Sequence, residues 1–584
     1  MSEQAGKAWD LAEDKPQARA EIEKALGLEP LLSQLLVNRG AATAKEADEM
    51  INPKLADISD PFAIPGMDAA AERMALARER KEKVVVYGDF DVDGLTAAAA
   101  LKKYLKDAGF DASVFVPERN SGSRGLKPAE VDQMKKDGAA LIVTVDTGIS
   151  AVEAADRAAE EGVEMIITDH HIPPENKPRA VALVNPQFLP EGAPGRWLSG
   201  AGVAFKLMMA TRNKIGKSQA GQPNLKKHLA LVAMGTVADC APLVGENRIL
   251  VRHGLDEISS PNATPGLAAL KSVCRLAGRA VTSRDVAFDL APRLNSASRM
   301  NNARAAMELL ITMDAGRATS LASVVDTLNG KRKKIQEEIL RQARAMALAL
   351  TERERSAAIV LGEQGWDPGV IGIVASRLAD EFHTPAILVS FDGEEGKGSA
   401  RSVPYFDMHA ALAQASGLLD RFGGHQGAAG LYVKMEKFAA FREAMVAIAG
   451  RNRGQAYSPA KIHVDMRFNP HTVTMETVKR LALLEPYGEG FPPPVFLAEN
   501  MALASPPEFM GEDGRSVRLW LDGRKTPAQM VAFRMAGFFD KFDWRRETLD
   551  ILFTPEINNW GGSERLQLRA VDIAKGRGGT GPRA

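Results

Sequence analysis

The sequence predicts an α/β protein: a parallel-sheet domain joined by a long helical connector to a second α/β domain, followed by a small β-barrel-like domain. Three observations predict it. From residue 83 onward, short β-branched runs alternate with helix-forming stretches, the pattern of a parallel sheet covered on both faces. Residues 301–350 then carry no strand signal. Beyond about residue 460, short strands separated by turn residues take over, as in small all-β domains.

Taken in order, residues 1–60 are polar and helix-forming, and read as an N-terminal extension closed by "INPKLADISDPF". Within 61–300, "KVVVYG" is a strand and "LTAAAALKKYLKDAG" a helix with a glycine stop. "SVFV", a helix near 128–137, "ALIVTV", a helix near 150–160, "EMIITD" and "ALVNP" follow. The same alternation is expected to continue through "LALVAMGTVAD" and "NRILVRHGL". Residues 301–350 read as a long connecting helix, broken near Gly316. A second α/β pattern occupies 351–450, with "SAAIVLG", "PAILVS", "GSARS" and "RFGGHQGAAGLYV". After the linker "GRNRGQAYSP", residues 456–573 hold the short strands "VFLAENMAL", "RSVRLWL", "AQMVAFRM", "LDILFTPEI" and "RLQLRAVDI", and 574–584 read as a flexible tail.

Composition narrows the function. A chain of 584 residues exceeds one hydrophobic core. Its 74 Lys+Arg balance 74 Asp+Glu, which excludes a strongly basic polyanion binder while allowing a local basic groove. The two cysteines, Cys240 and Cys274, are too few for a disulfide framework or a Cys-rich zinc site, and fit a reducing compartment. The N-terminus lacks a signal-like apolar stretch, and no apolar run approaches the roughly 18 residues that span a bilayer. A cytoplasmic protein without membrane contact is expected.

The chemistry concentrates at strand ends. "GDFDVDG" places Asp89, Asp91 and Asp93 directly after a strand. Alternate residues of an extended segment point the same way, so these carboxylates can converge, and they would repel one another without a cation. An EF-hand loop opens similarly, but its twelfth position needs a glutamate, which here is Ala100, and a strand rather than a helix precedes it. "VTVDTGIS" puts Asp146 after a second strand, "IITDHHIPP" puts Asp169, His170 and His171 after a third, and "MGTVADCAPL" puts Asp239 after a fourth apolar run. Any single aspartate there is ordinarily a helix N-cap. Four such runs delivering acids and imidazoles to the carboxyl edge of one sheet, where ligands of open parallel sheets bind, point to a shared metal site. Carboxylate and imidazole without thiolate suit Mn²⁺ or Mg²⁺. The number of donors suits two ions that bind a phosphoryl oxygen, activate water and stabilise a leaving oxygen. The reaction implied is hydrolysis of a phosphate ester or anhydride.

"GDFDVDG", "VDTGIS", "TDHH" and "GTVADCAPL" resemble the signature motifs of the DHH phosphoesterase superfamily. With "LSGAGVAFKL", "APRLN", "WDPGVIGIVASRL", "GSARS", "FGGHQGAAG" and "PYGEGFPPPVF", the chain from about residue 60 to 573 resembles the RecJ-type exonucleases within it. That resemblance implies a DHH catalytic domain, a DHH-associated substrate domain and an OB-like barrel. It implies 5′→3′ hydrolysis of single-stranded DNA to 5′-mononucleotides in DNA repair and recombination, by a monomer that works with a single-strand-binding protein and a helicase. It further implies that Asp89, Asp91 and Asp146 hold one ion. Asp93, Asp146, His170 and Asp239 would hold the other, with His171 at the scissile phosphate and Asp169 orienting a neighbour. Arg119, Ser399 and Arg401 would bind the 5′ phosphate, Asn295 and Arg299 would lie near the scissile phosphate, and His425 would lie on a substrate loop. An isolated arginine is ordinarily a surface charge, and only the motif context assigns these.

Three positions depart from the family pattern: Ser123-Arg124-Gly125, Ala297-Ser298, and Asp367 in "WDPGV". None is a proposed metal ligand, so they bear on the substrate path. Trp520, Phe533, Phe553 and Trp560 are aromatics of the β domain that could stack on bases, although strand aromatics are more often core. Two rival readings stand beside the exonuclease. One is a DHH phosphodiesterase for short oligonucleotides or cyclic dinucleotides, which would lack the terminal β domain. The other is a catalytically silent DNA-binding replication factor, which would have lost metal ligands.

Overall fold

A computed structural model describes residues 8–118, 125–216, 222–452, 461–511, 514–523, 527–558 and 564–576. The chain forms two compact units: Met1–Ile58, Pro242–Val244 and Pro459–Ala584 in one, Ser59–Ala241 and Gly245–Ser458 in the other.

The larger unit opens with a five-stranded, wholly parallel sheet. Its strands are β1 (Lys83–Gly88), β2 (Asp111–Phe115), β3 (Leu141–Val145), β4 (Glu164–Thr168) and β5 (Ala182–Val184), in the order β2-β1-β3-β4-β5. Helices α1 (Val92–Asp107), α2 (Pro128–Lys136) and α3 (Val152–Glu160) alternate with the strands. Valines and isoleucines buried on both faces account for the continuous apolar runs. Register then places the chemistry. Gly88 pairs with Val145 and Thr144 with Ile167. Asp89, Asp146 and Asp169, each the residue after its strand, therefore share one row at the sheet's carboxyl edge.

Helices α4 (Gly200–Lys214) and α5 (Leu229–Ala238) pack on α1. Here the structure corrects the sequence reading, because "LALVAMGTVA" and "NRILVRHGL" are helices, the latter within α6 (Gly245–Ser259), and not further alternating strands. Residues 229–237 of α5 are all buried. A helix enclosed on every side loses its polar stripe, and its apolar run then looks like a buried strand. Its large apolar side chains, Leu229, Leu231, Val232, Met234 and Val237, each contribute about 1.5–3 kcal/mol on burial, so α5 is a structural pillar that ends at Asp239.

Helix α7 (Ala291–Arg299) leads to α8 (Ala303–Ile311) and the 35-residue α9 (Ala315–Ala349). The break falls at residues 312–314, where Asp314 caps α9 by accepting the Arg317 N–H at 2.5 Å. Gly316 lies inside the helix. Beyond it, β6 (Ile359–Gln364), α10 (Ile371–Phe382), β7 (Ala386–Asp392), β8 (Glu395–Arg401), β9 (Arg421–His425) and β10 (Ala428–Lys434) build a second sheet in the order β9-β10-β8-β7-β6. Only β6 and β7 in it run parallel.

In the smaller unit, seven strands between Met466 and Lys575 form one sheet. The N-terminal segment belongs to this unit. Strand Ala8–Leu11 pairs in parallel with Lys461–Val464, and Ile22, Leu32, Leu35 and Leu36 share a core with Phe496, Leu519 and Phe553. Phe553 is therefore core, Trp520 donates to Glu508 Oε1 at 3.0 Å, and Phe533 is exposed. Trp560 lies outside the described residues.

Candidate metal centre

The row of strand-end aspartates is drawn together by three local devices. Asp91 N-caps α1, accepting the Gly94 N–H at 3.2 Å. Asp93 lies in the first turn of that helix, so the three acids converge through a loop and a helix start, and not along one extended segment as the alternation suggested. The Asp93 carboxylate reaches the N-terminus of α4, taking N–H bonds from Gly200 at 2.6 Å and Ala201 at 2.9 Å, a favourable seat for an anion. Asp146 adopts a left-handed backbone, φ 61°, uncommon for a residue with a Cβ. The strain is local to the turn that points its carboxylate at His170, whose Nε2 lies 3.0 Å from Asp146 Oδ1, 3.8 Å from Asp239 Oδ2 and 4.0 Å from Asp93 Oδ2.

Among the described residues, potential ligand atoms within 4.8 Å of one another come in three groups: Asp89, Asp91 and Asp146; Asp93, His170 and Asp239; and Asp146, His170 and His171. Asp146 joins the first group to the third. The donors are hard oxygens and imidazole without sulfur, the set that Mn²⁺ and Mg²⁺ accept. Glycines make room for them. A Cβ on Gly200 would lie 2.4 Å from the Cβ of Asp146, and one on Gly235 would lie 2.4 Å from Asp93 Oδ1 and from Thr96 Oγ1.

The electrostatics call for cations. Burial, then the Asp239 and Asp91 charges, hold the Asp93 carboxyl well above the usual carboxylate range, although the Ala201 and Gly200 N–H groups pull it down. Burial, then Asp93, Asp91, Asp89 and Asp169, do the same to Asp146. Asp169 behaves oppositely. Burial would raise it, but the His171 ring and the N–H groups of Ile149 and His171 outweigh burial and hold it ionised. Its Oδ1 lies 2.7 Å from His171 Nδ1, so it orients that ring and is engaged by donors on both oxygens. Asn185 Nδ2 donates to the His171 carbonyl at 2.9 Å.

A cavity of about 700 Å³ opens from the cluster, with Asp91, Asp93 and Asp239 on one side and Asn295, Arg299, Ser399, Arg401 and His425 also lining it. The structure thus gathers all the described candidate residues around one space or its acidic rim. Arg119, with Ser123 and Arg124, lies outside the described residues. Arg401 donates to the Ala400 carbonyl at 2.8 Å and to Ser399 Oγ at 3.3 Å. Gly372, in the first turn of α10, would collide with Ser399 Oγ if it had a Cβ, so this hydroxyl sits against a helix N-terminus. His425 is exposed, and its Nδ1 accepts the Gly427 N–H at 3.1 Å. Lys397 and Arg421 line the cavity as well. The sequence did not single them out, because a lone cation in a strand has no signature.

Two departures from the family pattern acquire a structural role. Ser298 Oγ donates to the Phe90 carbonyl, between Asp89 and Asp91. Asp367 accepts the Gly369 N–H at 2.8 Å, and the Gly369 carbonyl accepts Arg299 Nη1 at 2.8 Å.

Comparison with known proteins is consistent with this geometry. The DHH family N-terminal domain matches residues 83–236, the DHHA1 domain 354–450 and the RecJ OB domain 464–572. The single-stranded-DNA-specific exonuclease RecJ of Escherichia coli is 34% identical over 93% of this chain and 95% of its own. The chain belongs to the RecJ family. The RecJ of Haemophilus influenzae is 32% identical over 92% of this chain and 95% of its own. The crystal structure of Thermus thermophilus RecJ in complex with Mn²⁺ superposes with a TM-score of 0.82 at 31% identity, covering 99% of this chain and 81% of that one. A Mg²⁺ complex of the same RecJ gives 0.75.

Proposed function

We infer that this chain is a metal-dependent exonuclease that hydrolyses single-stranded DNA in the 5′→3′ direction to 5′-mononucleotides, in DNA repair and recombination. The observation that carries this reading is one cavity with a carboxylate cluster on one side and Arg299, Lys397, Arg401 and Arg421 also on its walls. A phosphodiester strand needs cationic partners along its length and a doubly charged centre at the bond to be cut.

Asp89, Asp91, Asp93, Asp146, His170 and Asp239 would hold two divalent ions, Mn²⁺ or Mg²⁺, which supply an activated water and charge for the leaving oxygen when bound. Asp93 is seated by the N-terminus of α4, and Asp146 would be shared between the two ions. With Nδ1 of His171 engaged by Asp169, the contact to the scissile phosphate falls to Nε2, where a donor stabilises developing charge. Ser399 and Arg401, with Arg119, would bind the terminal phosphate, Arg being suited by its planar fork. Asn295 and Arg299 would steady the scissile phosphate, and His425 the neighbouring strand. Residues 61–300 would carry the chemistry and 351–450 the substrate end, with the β domain as a further single-strand-binding module.

The rival readings lose ground because the RecJ OB domain match is present and all six expected ligand residues fall in the grouped acids and imidazoles. Among the described residues no helix is long and apolar enough to cross a membrane. Cytoplasmic location, a monomeric state, and a single-strand-binding protein and helicase as partners rest on the family resemblance. The test is digestion with Mn²⁺ of a 5′-phosphorylated single strand and of a blunt duplex. Mononucleotides released from the 5′ end of the single strand, with the duplex spared, are expected. Cleavage of dinucleotides alone, or tight binding without turnover, would overturn the reading.

A further inference from the structure

The wall of the cavity formed by β9 and β10 has an unusual composition. Gly423, Gly424 and Gly430 line it, and neither Gly423 nor Gly430 has a neighbour closer than 4.0 Å to the position of a Cβ. The result is a flat floor of exposed backbone at the edge of the sheet. Arg421 and Tyr432 stand at its margin as directly opposed cross-strand partners. The guanidinium carbon lies 3.8 Å from the centre of the Tyr432 ring, the separation of a stacked pair. Arg421 is exposed and lines the cavity, so a guanidinium lying flat on the tyrosine would turn its other face to whatever enters.

We propose that Arg421, flattened on Tyr432, is a nucleobase platform: one unstacked base of the substrate strand lies on the open face of the guanidinium and completes a Tyr432–Arg421–base stack above the glycine floor. Arginine planes stack on splayed bases as aromatics do, and a side chain already held flat loses little freedom on binding. The contact is tolerant of sequence because every base has a π face. It also favours single strands, whose bases can leave their neighbours, over a duplex. A phosphate contact by Arg421 would need the edge of the guanidinium and would gain nothing from Tyr432. The platform rests on the reading of this cavity as a nucleic-acid site and names how that site recognises an unpaired strand.

The test is an abasic scan. A hydrolysis-resistant phosphorothioate single strand with a 5′ phosphate, carrying one abasic site at successive positions, is bound to the full chain with Mn²⁺ and followed by fluorescence anisotropy. Loss of one base contact of this kind weakens binding about 5- to 150-fold, so the wild type should show one such dip at a single position near the 5′ end. Arg421→Ala should weaken the intact strand by a similar factor and flatten the dip. Arg421→Lys, which keeps the charge but not the plane, should flatten it too, and Tyr432→Phe should retain it. A flat scan in the wild type, a dip that survives in Arg421→Ala, or a dip that survives in Arg421→Lys would overturn the platform. Degradation of the ordinary strand by the wild type tests the exonuclease reading separately. A digesting enzyme with a flat scan would sink only the stack.

Discussion

Asp146→Asn should make the metal-free protein more stable and the enzyme inert. Asp146 is buried, with 2% of its surface exposed. The groups that face it are Asp93, Asp91, Asp89 and Asp169, with His170 Nε2 at 3.0 Å. Two like charges at the 4.8 Å limit of the Asp89–Asp91–Asp146 group repel by roughly 3 kcal/mol at an effective dielectric constant of 20. Proton uptake relieves part of that, and loss of the His170 contact offsets more, so a net gain of about 1–3 kcal/mol for the neutral isostere is expected.

The pH dependence has a definite sign. The Asp146 carboxyl is raised in the folded state by burial and then by Asp93, Asp91, Asp89 and Asp169. A raised acid costs nothing below its unfolded value near 4. Its penalty grows as pH climbs from there to the folded value, then stays constant. Thermal unfolding in EDTA at pH 8 should therefore show Asp146→Asn melting a few degrees above wild type, with the gap closing towards pH 4. Adding Mn²⁺ should raise the wild-type Tm, by about 2.7 kcal/mol of stability at a hundredfold excess over Kd, and leave the variant nearly unmoved. Asp146→Asn melting below wild type in EDTA at pH 8 would refute the picture of a cluster that repels itself until cations arrive.

Two further outcomes follow from the packing. Gly235→Ala drives a Cβ to 2.4 Å from Asp93 Oδ1 and Thr96 Oγ1, overpacking worth about 1–3 kcal/mol. Calorimetric Mn²⁺ titration should show weakened binding, and nuclease assays a drop of about tenfold or more, although the residue is no ligand. Arg401→Ala should cut kcat/KM for a 5′-phosphorylated strand about tenfold or more, as expected for a charged hydrogen bond of about 1.5–3 kcal/mol. A 5′-hydroxyl strand should be affected far less, so the ratio of the two is the measurement.

Much of the catalytic architecture was legible in the chain because two periodicities coincide. A β-branched run ending in Asp89, Asp146 or Asp169 states both the strand and the edge at which the acid emerges. Asp239 was found for its chemistry but on the wrong element. The apolar run before it is uniformly buried, and uniform burial erases the difference between periods of 2.0 and 3.6. The seats of Gly200 and Gly235 were not legible either. A glycine chosen to let Asp146 or Asp93 approach a helix looks the same in sequence as one chosen for a turn. Pairing of Ala8–Leu11 with Lys461–Val464 spans most of the chain and leaves no local signal, which is why residues 1–60 read only as an extension.

The cavity's dimensions depend on residues outside the metal-ligand set. Ser298 and Arg299 are consecutive at the end of α7. The first bonds the carbonyl of Phe90 inside the acidic loop, and the second bonds the carbonyl of Gly369 at the approach to α10. One short helix end therefore ties the metal side of the cavity to the side that carries Ser399 and Arg401. Asp367 shapes the Gly369 turn from beneath. Two of the positions where this chain departs from its family fall on that seam. Ser298 adds a hydrogen bond to the ligand loop, and Asp367 adds an acceptor to the turn that Arg299 grips. Both bonds brace the walls of the cavity, and neither residue is one of the proposed metal ligands.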